Sequence, residues 1–309
     1  MKYLPETRTP GGSRAILTPM SRVLLCCVAL AALLVSGCGE KSDGPSAGKE
    51  TSSAAVDVAT KEQAQALVNA AERDLLANPT AEYEVIWKDR DNQQTMATGA
   101  FDLAGPAALQ RYMVPGAAVD YRMIAGHVWS QVTGDGIAPD LIGCWMHFTT
   151  GTGDQAAASA VPPTANMLLE PSAVGLVDGT GDLVRVDLLL DEAAPAMMPK
   201  IVNQLDAPID PAATVPGVVT VTDGRYAAVE FGAADVLARL DADQLPAEVL
   251  AIKDMADSLR IRVEYRGFGA KIVVEPPPAK EVIEVGSQRD LLANGPDPER
   301  EIETCAANR

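Results

Sequence analysis

From Tyr83 onward the hydrophobic period of the chain drops to two, and it returns to that value repeatedly as far as Tyr265. Tyr83, Val85 and Trp87 alternate with Glu82, Glu84 and Lys88, so an extended backbone carries apolar side chains on one face and charges on the other. Segments 95–103, 109–114, 119–124 and 128–133 continue the pattern. Asp89-Arg90-Asp91-Asn92, Gly105-Pro106, Pro115-Gly116 and Ala125-Gly126 separate them, as in an antiparallel meander. Val218 to Thr222 and Arg225 to Phe231 flank Asp223-Gly224, the strongest hairpin signal in the chain. Leu183 to Leu190, Ala247 to Ile252, Leu259 to Tyr265 and Lys271 to Glu275 also fit strands, and Pro276-Pro277-Pro278 stops the sheet.

Helical spacing is rarer. Ala64, Leu67, Val68, Ala71, Leu75 and Leu76 predict a helix over Lys61 to Ala77, ended by Asn78-Pro79. Shorter helices are expected over Ala165 to Leu176, broken at Pro171, over Met197 to Leu205 and over Ala234 to Leu240; the remainder of 139–180 reads as irregular. Many short strands behind one leading helix predict the α+β class. The expected form is one large curved antiparallel sheet, an unclosed half-barrel, with helices on its concave face.

The first segment is an address. Arg14 and Arg22 precede an unbroken apolar run of 13 residues, Val23 to Val35, too short to span a membrane as a helix and suited to a signal-peptide core. The run ends in Val35-Ser36-Gly37-Cys38-Gly39, which resembles the lipobox of bacterial lipoproteins. That resemblance implies cleavage before Cys38, diacylglycerol on its thiol and fatty acylation, palmitate included, of the new amino terminus. Several acyl chains anchor stably where one does not. The expected location is therefore the extracytoplasmic face of the cell membrane, with the lipidated Cys38 as the contact. Met1 and Met20 are both candidate starts, since Pro5, Pro10, Gly11, Gly12 and Pro19 are foreign to a signal n-region. The expected organisation is a signal peptide over 1–37, an acylated cysteine and flexible linker over 38–60, a folded domain over 61–285 and a polar tail over 286–309. The linker has a typical span of about 25 Å.

The chain carries 25 basic and 42 acidic side chains, a formal net charge of −17. With no basic face to neutralise phosphates, nucleic acid is excluded as a partner. Losing Lys2, Arg8, Arg14 and Arg22 with the signal against only Glu6 makes the remainder more acidic still, which opposes electrostatic adsorption to anionic lipid. Of five cysteines, Cys26 and Cys27 lie in the signal and Cys38 takes lipid, leaving Cys144 and Cys305 as a disulfide pair in an oxidising compartment. The alternative is a buried thiol at Cys144 and an unpaired Cys305.

Leu245-Pro246-Ala247-Glu248-Val249, Ile261-Arg262-Val263-Glu264-Tyr265 and the stretch Phe268 to Pro277 resemble the closing strands of the LppX/LprG lipoproteins of actinobacteria. Gly99-Ala100-Phe101-Asp102 and Ile124 to Trp129 are similar to their first meander. Those proteins share an unclosed-barrel fold with the LolA lipoprotein carrier. The resemblance covers residues 61–285, with extra length near 139–215 and after 286. It implies an apolar cavity between sheet and helices that takes up acyl chains.

Signals for catalysis are thin. The two histidines, His127 and His147, read as hydrogen-bonded structural imidazoles, and no H-E-x-x-H is present. Gly151-Thr152-Gly153-Asp154-Gln155-Ala156 spells a dinucleotide fingerprint without the strand and helix it needs. Asp89-Arg90-Asp91-Asn92 and Asp178 to Asp182 read as solvated turns, since neither has calcium-loop spacing. No enzyme, cofactor or metal is expected. Val85, Trp87, Phe101, Tyr112, Tyr121, Met123 and Trp129 are the candidate ligand-contacting residues, large or adaptable side chains on expected strands. Tyr83, Val85 and Trp87 share one face, Tyr121 and Met123 share one, and His127 and Trp129 share one; which face points inward stays open. The expected function is binding and carrying lipid or lipidated molecules. The alternative is a cell-surface module with a packed interior that meets an envelope protein partner.

Overall fold

The computed structural model describes residues 53–284 except 91, 115, 135–142, 150–161, 170, 178–180, 199–208, 241–244 and 246–251, all within the unit Lys49–Arg309. The expected signal peptide, Cys38 and the tail with Cys305 lie outside the described residues. The leading helix, α1 (Ser53–Ala77), buries Ala64, Val68, Ala71 and Leu75, a stripe spaced four, three and four residues apart. It starts at Ser53, earlier than the periodicity marks, so 53–60, expected as the end of the flexible linker, are helical instead. Asn78 closes it, donating its backbone N–H to the Asp74 carbonyl at 2.8 Å and its side-chain amide to the same oxygen at 3.1 Å. Pro79 then forbids another turn.

Six strands follow as an antiparallel run: β1 (Thr80–Asp89), β2 (Asn92–Asp102), β3 (Ala107–Val114), β4 (Ala117–Ile124), β5 (His127–Gly134) and β6 (Trp145–Thr149). A second antiparallel run comprises β7 (Ser172–Leu176), β8 (Leu183–Leu189), β9 (Thr214–Thr222), β10 (Arg225–Gly232) and β11 (Leu259–Arg266). β1 and β11 pair along their length and join the runs. β12 (Val282–Glu284) adds to β6 in parallel, giving the order β12-β6-β5-β4-β3-β2-β1-β11-β10-β9-β8-β7. The twelve-stranded sheet is open: no described ladder joins β7 to β12.

The remaining described helices are short: α2 (Pro163–Asn166), α3 (Leu190–Met197) and α4 (Ala233–Leu237). α1 packs chiefly on β7 and β10, α3 on α2, β8 and β9, and α4 on β10 and β11. Hydrogen bonds fix these contacts. The Tyr226 hydroxyl donates to the Val68 carbonyl at 3.3 Å and that of Tyr265 to the Thr164 carbonyl at 2.5 Å. Gln65 accepts from the backbone N–H of Ala173 on edge strand β7 at 3.3 Å, satisfying a group that would otherwise recruit another strand.

Several expectations need correcting. The region read as irregular contains β6. Ala165 to Leu176 is not one broken helix: α2 stops before Pro171, and the residues beyond it pair with β8. The helix expected over Met197 to Leu205 lies instead at Leu190–Met197, where Leu190, Ala193, Ala194 and Met197 form the buried stripe; Met198 is already extended, and 199–208 lie outside the described residues. The strand expected over Ala247 to Ile252 also falls mostly outside them, with Ile252 leading into a 3-10 turn at Lys253–Met255. Lys271 to Glu275 is not a ladder strand. Gly267 and Gly269, with φ of 67° and 75°, turn the chain away from the sheet. The proline run does not end the sheet either, because β12 lies beyond it.

The hairpin at Asp223-Gly224 takes φ of 53° and 76°, and that at Ala125-Gly126 takes 48° and 85°, both with the twist of type I′ turns. Ala125 is exposed and held left-handed without the side chain that favours it. Ala125→Asn should stabilise the protein by about 0.5–1 kcal/mol, read as a higher urea midpoint at unchanged slope; a midpoint at or below that of the parent would contradict this account of the turn.

Candidate functional site

Cross-strand partners share a face, so the register sorts every strand residue. One row runs Phe148, Val128, Met123, Ala108, Phe101, Ala81. A second runs Met146, Ser130, Tyr121, Gln110, Gly99, Tyr83, Tyr265. A third runs Val132, Val119, Tyr112, Ala97, Val85, Val263, Val229, Val219, Val184. This is the face that meets the helices, because Tyr226 and Tyr265 reach α1 and α2 from it. It is termed the inner face below.

Six of the seven expected contact residues lie on it. Val85, Phe101, Tyr112 and Met123 are buried, whereas Trp87 and Tyr121 are half-buried. Trp129 does not join them: it pairs with Arg122 and His147 on the opposite, outer face. The sharing of faces within each strand is as expected, and the register supplies what periodicity cannot, namely which face is inner.

The inner rows are graded in size. Ala81, Ala97, Gly99 and Ala108 form a low centre on β1 to β3, bordered by Phe101, Tyr112, Tyr121 and Met123. Gly99 is required there, since a Cβ would come within 2.5 Å of the Tyr83 ring and hydroxyl. The helices lie chiefly over β7 to β11, so the inner face of β2 to β6 is not the main seat of any described helix.

The residues of these three rows are also uncharged. Burial holds Tyr112 up at about 12, with Tyr121 adding to the effect, and burial raises Tyr121 too. Burial pushes Tyr83, Tyr226 and Tyr265 far above the usual tyrosine range. All five therefore stay neutral phenols at physiological pH. At the end of β1 two side chains leave buried polar atoms without partners among the described residues: Trp87 Nε1 and Asp89 Oδ1. Asp89 is thus more than the solvated turn residue expected from sequence.

On the outer face His127 Nδ1 lies 3.0 Å from His147 Nε2, and His147 Nδ1 lies 2.6 Å from Glu284 Oε2. Trp129 stacks against both rings, at 5.8 and 4.8 Å between centroids. Arg122 sits 4.5 Å over Trp145 and donates to the Glu275 carbonyl at 2.9 Å. Together they pin a strap, residues 267–284, that leaves β11 and crosses to β6. This assembly was invisible in sequence, because Glu284 lies 137 positions from His147. No cluster of three or more potential metal ligands occurs among the described residues. Also on the outer side, a depression of about 390 Å³ is lined by Val174, Arg185, Asp187, Glu230, Asp235 and Arg260 among others. By letter, Gly44-Pro45-Ser46-Ala47-Gly48-Lys49 spells G-x-S-x-G and S-x-x-K. It lies outside the described residues, and the first of these motifs needs a strand-to-helix turn to work.

No protein-family model and no curated protein matches the chain. Solved structures that resemble it include the following two. Lipoprotein LppX of Mycobacterium tuberculosis is 12% identical, with 69% of this chain and 99% of that one covered at a TM-score of 0.36. A LolA superfamily protein of Nitrosomonas europaea is 11% identical, with 68% and 94% covered at a TM-score of 0.30.

Among the described residues Glu192 on α3 is the one carboxyl displaced upward, to about 7, by burial and then by the neighbouring Asp191 charge, partly offset by a hydrogen bond to Asn166. The fold therefore holds this proton more tightly than the unfolded chain, whose value is 4.5. Stability from this group is present below about pH 4.5 and lost as pH rises through about 7. Glu192→Gln should flatten the decline between pH 5 and 8 in urea midpoints; an unchanged decline would refute the assignment.

Proposed function

We propose that this protein is a non-enzymatic lipoprotein, tethered through acylated Cys38 to the extracytoplasmic face of the cell membrane, that binds and carries lipid or lipidated molecules on the inner face of its sheet. The observation that supports this most is the neutral, apolar, size-graded surface of β1 to β6, over which no described helix has its main seat. A two-chain lipid exposes tens of methylenes at about 0.8 kcal/mol each in water, so transfer between membranes demands an apolar container. An acidic surface keeps the carrier off anionic bilayers while the linker gives it reach. The proposal includes the Cys144–Cys305 bridge. Cys144 is disulfide-bonded and packs with Ile283, so the bridge would tie the tail beside β12.

The second reading, an interaction module that meets an envelope protein, is favoured by one observation, the charged depression on the outer face. Native mass spectrometry separates the two. The unacylated Cys38→Ala protein, prepared without detergent, should carry lipid adducts and leave the membrane fraction in which wild type stays. A bare protein mass would contradict the carrier reading and favour the module.

A further inference from the structure

Trp87 and Asp89 occupy alternate positions at the end of β1, next to the turn at Arg90, and so share the inner face. Trp87 packs against the core, yet its Nε1–H is shut off from water and has no acceptor. Asp89 Oδ1 is equally enclosed and has no donor. Orphaned buried polar atoms are rare in folded proteins and cost stability when left unmet. Here a donor-only group and an acceptor-only group, two positions apart on one strand, stand unmet on the face assigned to ligand.

We propose that Trp87 and Asp89 form a polar subsite at the rim of the inner face, which holds a hydroxyl of a neutral lipid headgroup. The inference rests on the lipid-binding reading above. A hydroxyl is the smallest group that can accept from the indole N–H and donate to the carboxylate at once. A phosphate or carboxylate meets the indole but is repelled by Asp89. A quaternary ammonium is attracted by Asp89 but gives the indole no acceptor. The subsite therefore selects a hydroxylated, uncharged headgroup such as that of an acylglycerol, and sets the register of the chains along the apolar rows.

The test compares two probes on the Cys38→Ala protein by calorimetry: 1-monolauroylglycerol, and the same molecule with both free hydroxyls methylated, which accepts hydrogen bonds but cannot donate them. The parent should bind the first about 5- to 10-fold more tightly. Asp89→Ala should erase most of that preference, whereas Trp87→Phe, which keeps an apolar ring and removes the N–H that both probes can accept from, should weaken both probes and leave the preference in place. Asp89→Asn, which keeps an oxygen acceptor, should retain part of it. A urea midpoint close to that of the parent shows that each variant is folded. If both probes bind and the parent shows no preference, or the preference persists in Asp89→Ala, or Trp87→Phe weakens neither probe, the subsite is refuted while lipid binding stands. If neither probe binds, the lipid reading falls and the subsite with it.

Discussion

The ladder between β1 and β11 is the contact on which the rest of the structure depends. Its partners are 170 to 184 positions apart, with Tyr83 opposite Tyr265, Val85 opposite Val263 and Trp87 opposite Ile261. Before it forms, β1 to β6 and β7 to β11 are separate meanders, each with an exposed edge. Once formed, it makes one inner face whose longest row runs from Val132 through Val85 and Val263 to Val219 and Val184. The entropy of closing that long loop is met by burying Tyr83, Val85, Ile261 and Val263 almost completely.

That joined face divides labour along its length. On the β7 to β11 side, valines meet the helices and are packed shut, as with Val184, Val219 and Val229, each wholly buried. On the β1 to β6 side, alanines and Gly99 lie between tyrosines and methionines. Methionine and tyrosine adapt to irregular shapes, and the neutral phenols add no charge to an apolar environment. The outer face does a different job. Arg122, the stacked rings around Trp129 and the Glu284 contact hold the strap that carries the chain back to β6. The outer face thus works as a clamp, while the inner face is the one proposed to meet ligand.

Much of this was legible from residues alone, where local physics decides. The alternation at Tyr83-Val85-Trp87, the Asp223-Gly224 hairpin and the Asn78-Pro79 stop each depend on neighbours within a few positions, and each appears where expected. Sequence reasoning failed where distant pairing decided. Trp145 to Thr149 becomes a strand because β5 and β12 flank it. Lys271 to Glu275 alternates like a strand but has no free edge to join, and two left-handed glycines steer it onto the outer surface. Trp129 looked equivalent to Trp87 because periodicity says only that residues share a face. The cross-strand register then placed Trp129 with Arg122 and His147. The orphaned atoms of Trp87 and Asp89 carry no sequence signature at all.

The account's central claim is that lipid lies against the inner face of β1 to β6 and not the outer one. The three tryptophans test it directly, since Trp87 is inner whereas Trp129 and Trp145 are outer. Single-tryptophan variants titrated with a brominated fatty acid, whose bromines quench indole fluorescence at contact, report position. Strong saturable quenching of the Trp87 variant, with little in the Trp129 and Trp145 variants, is the expected result. Quenching confined to Trp129 or Trp145, or equal in all three, would contradict the claim.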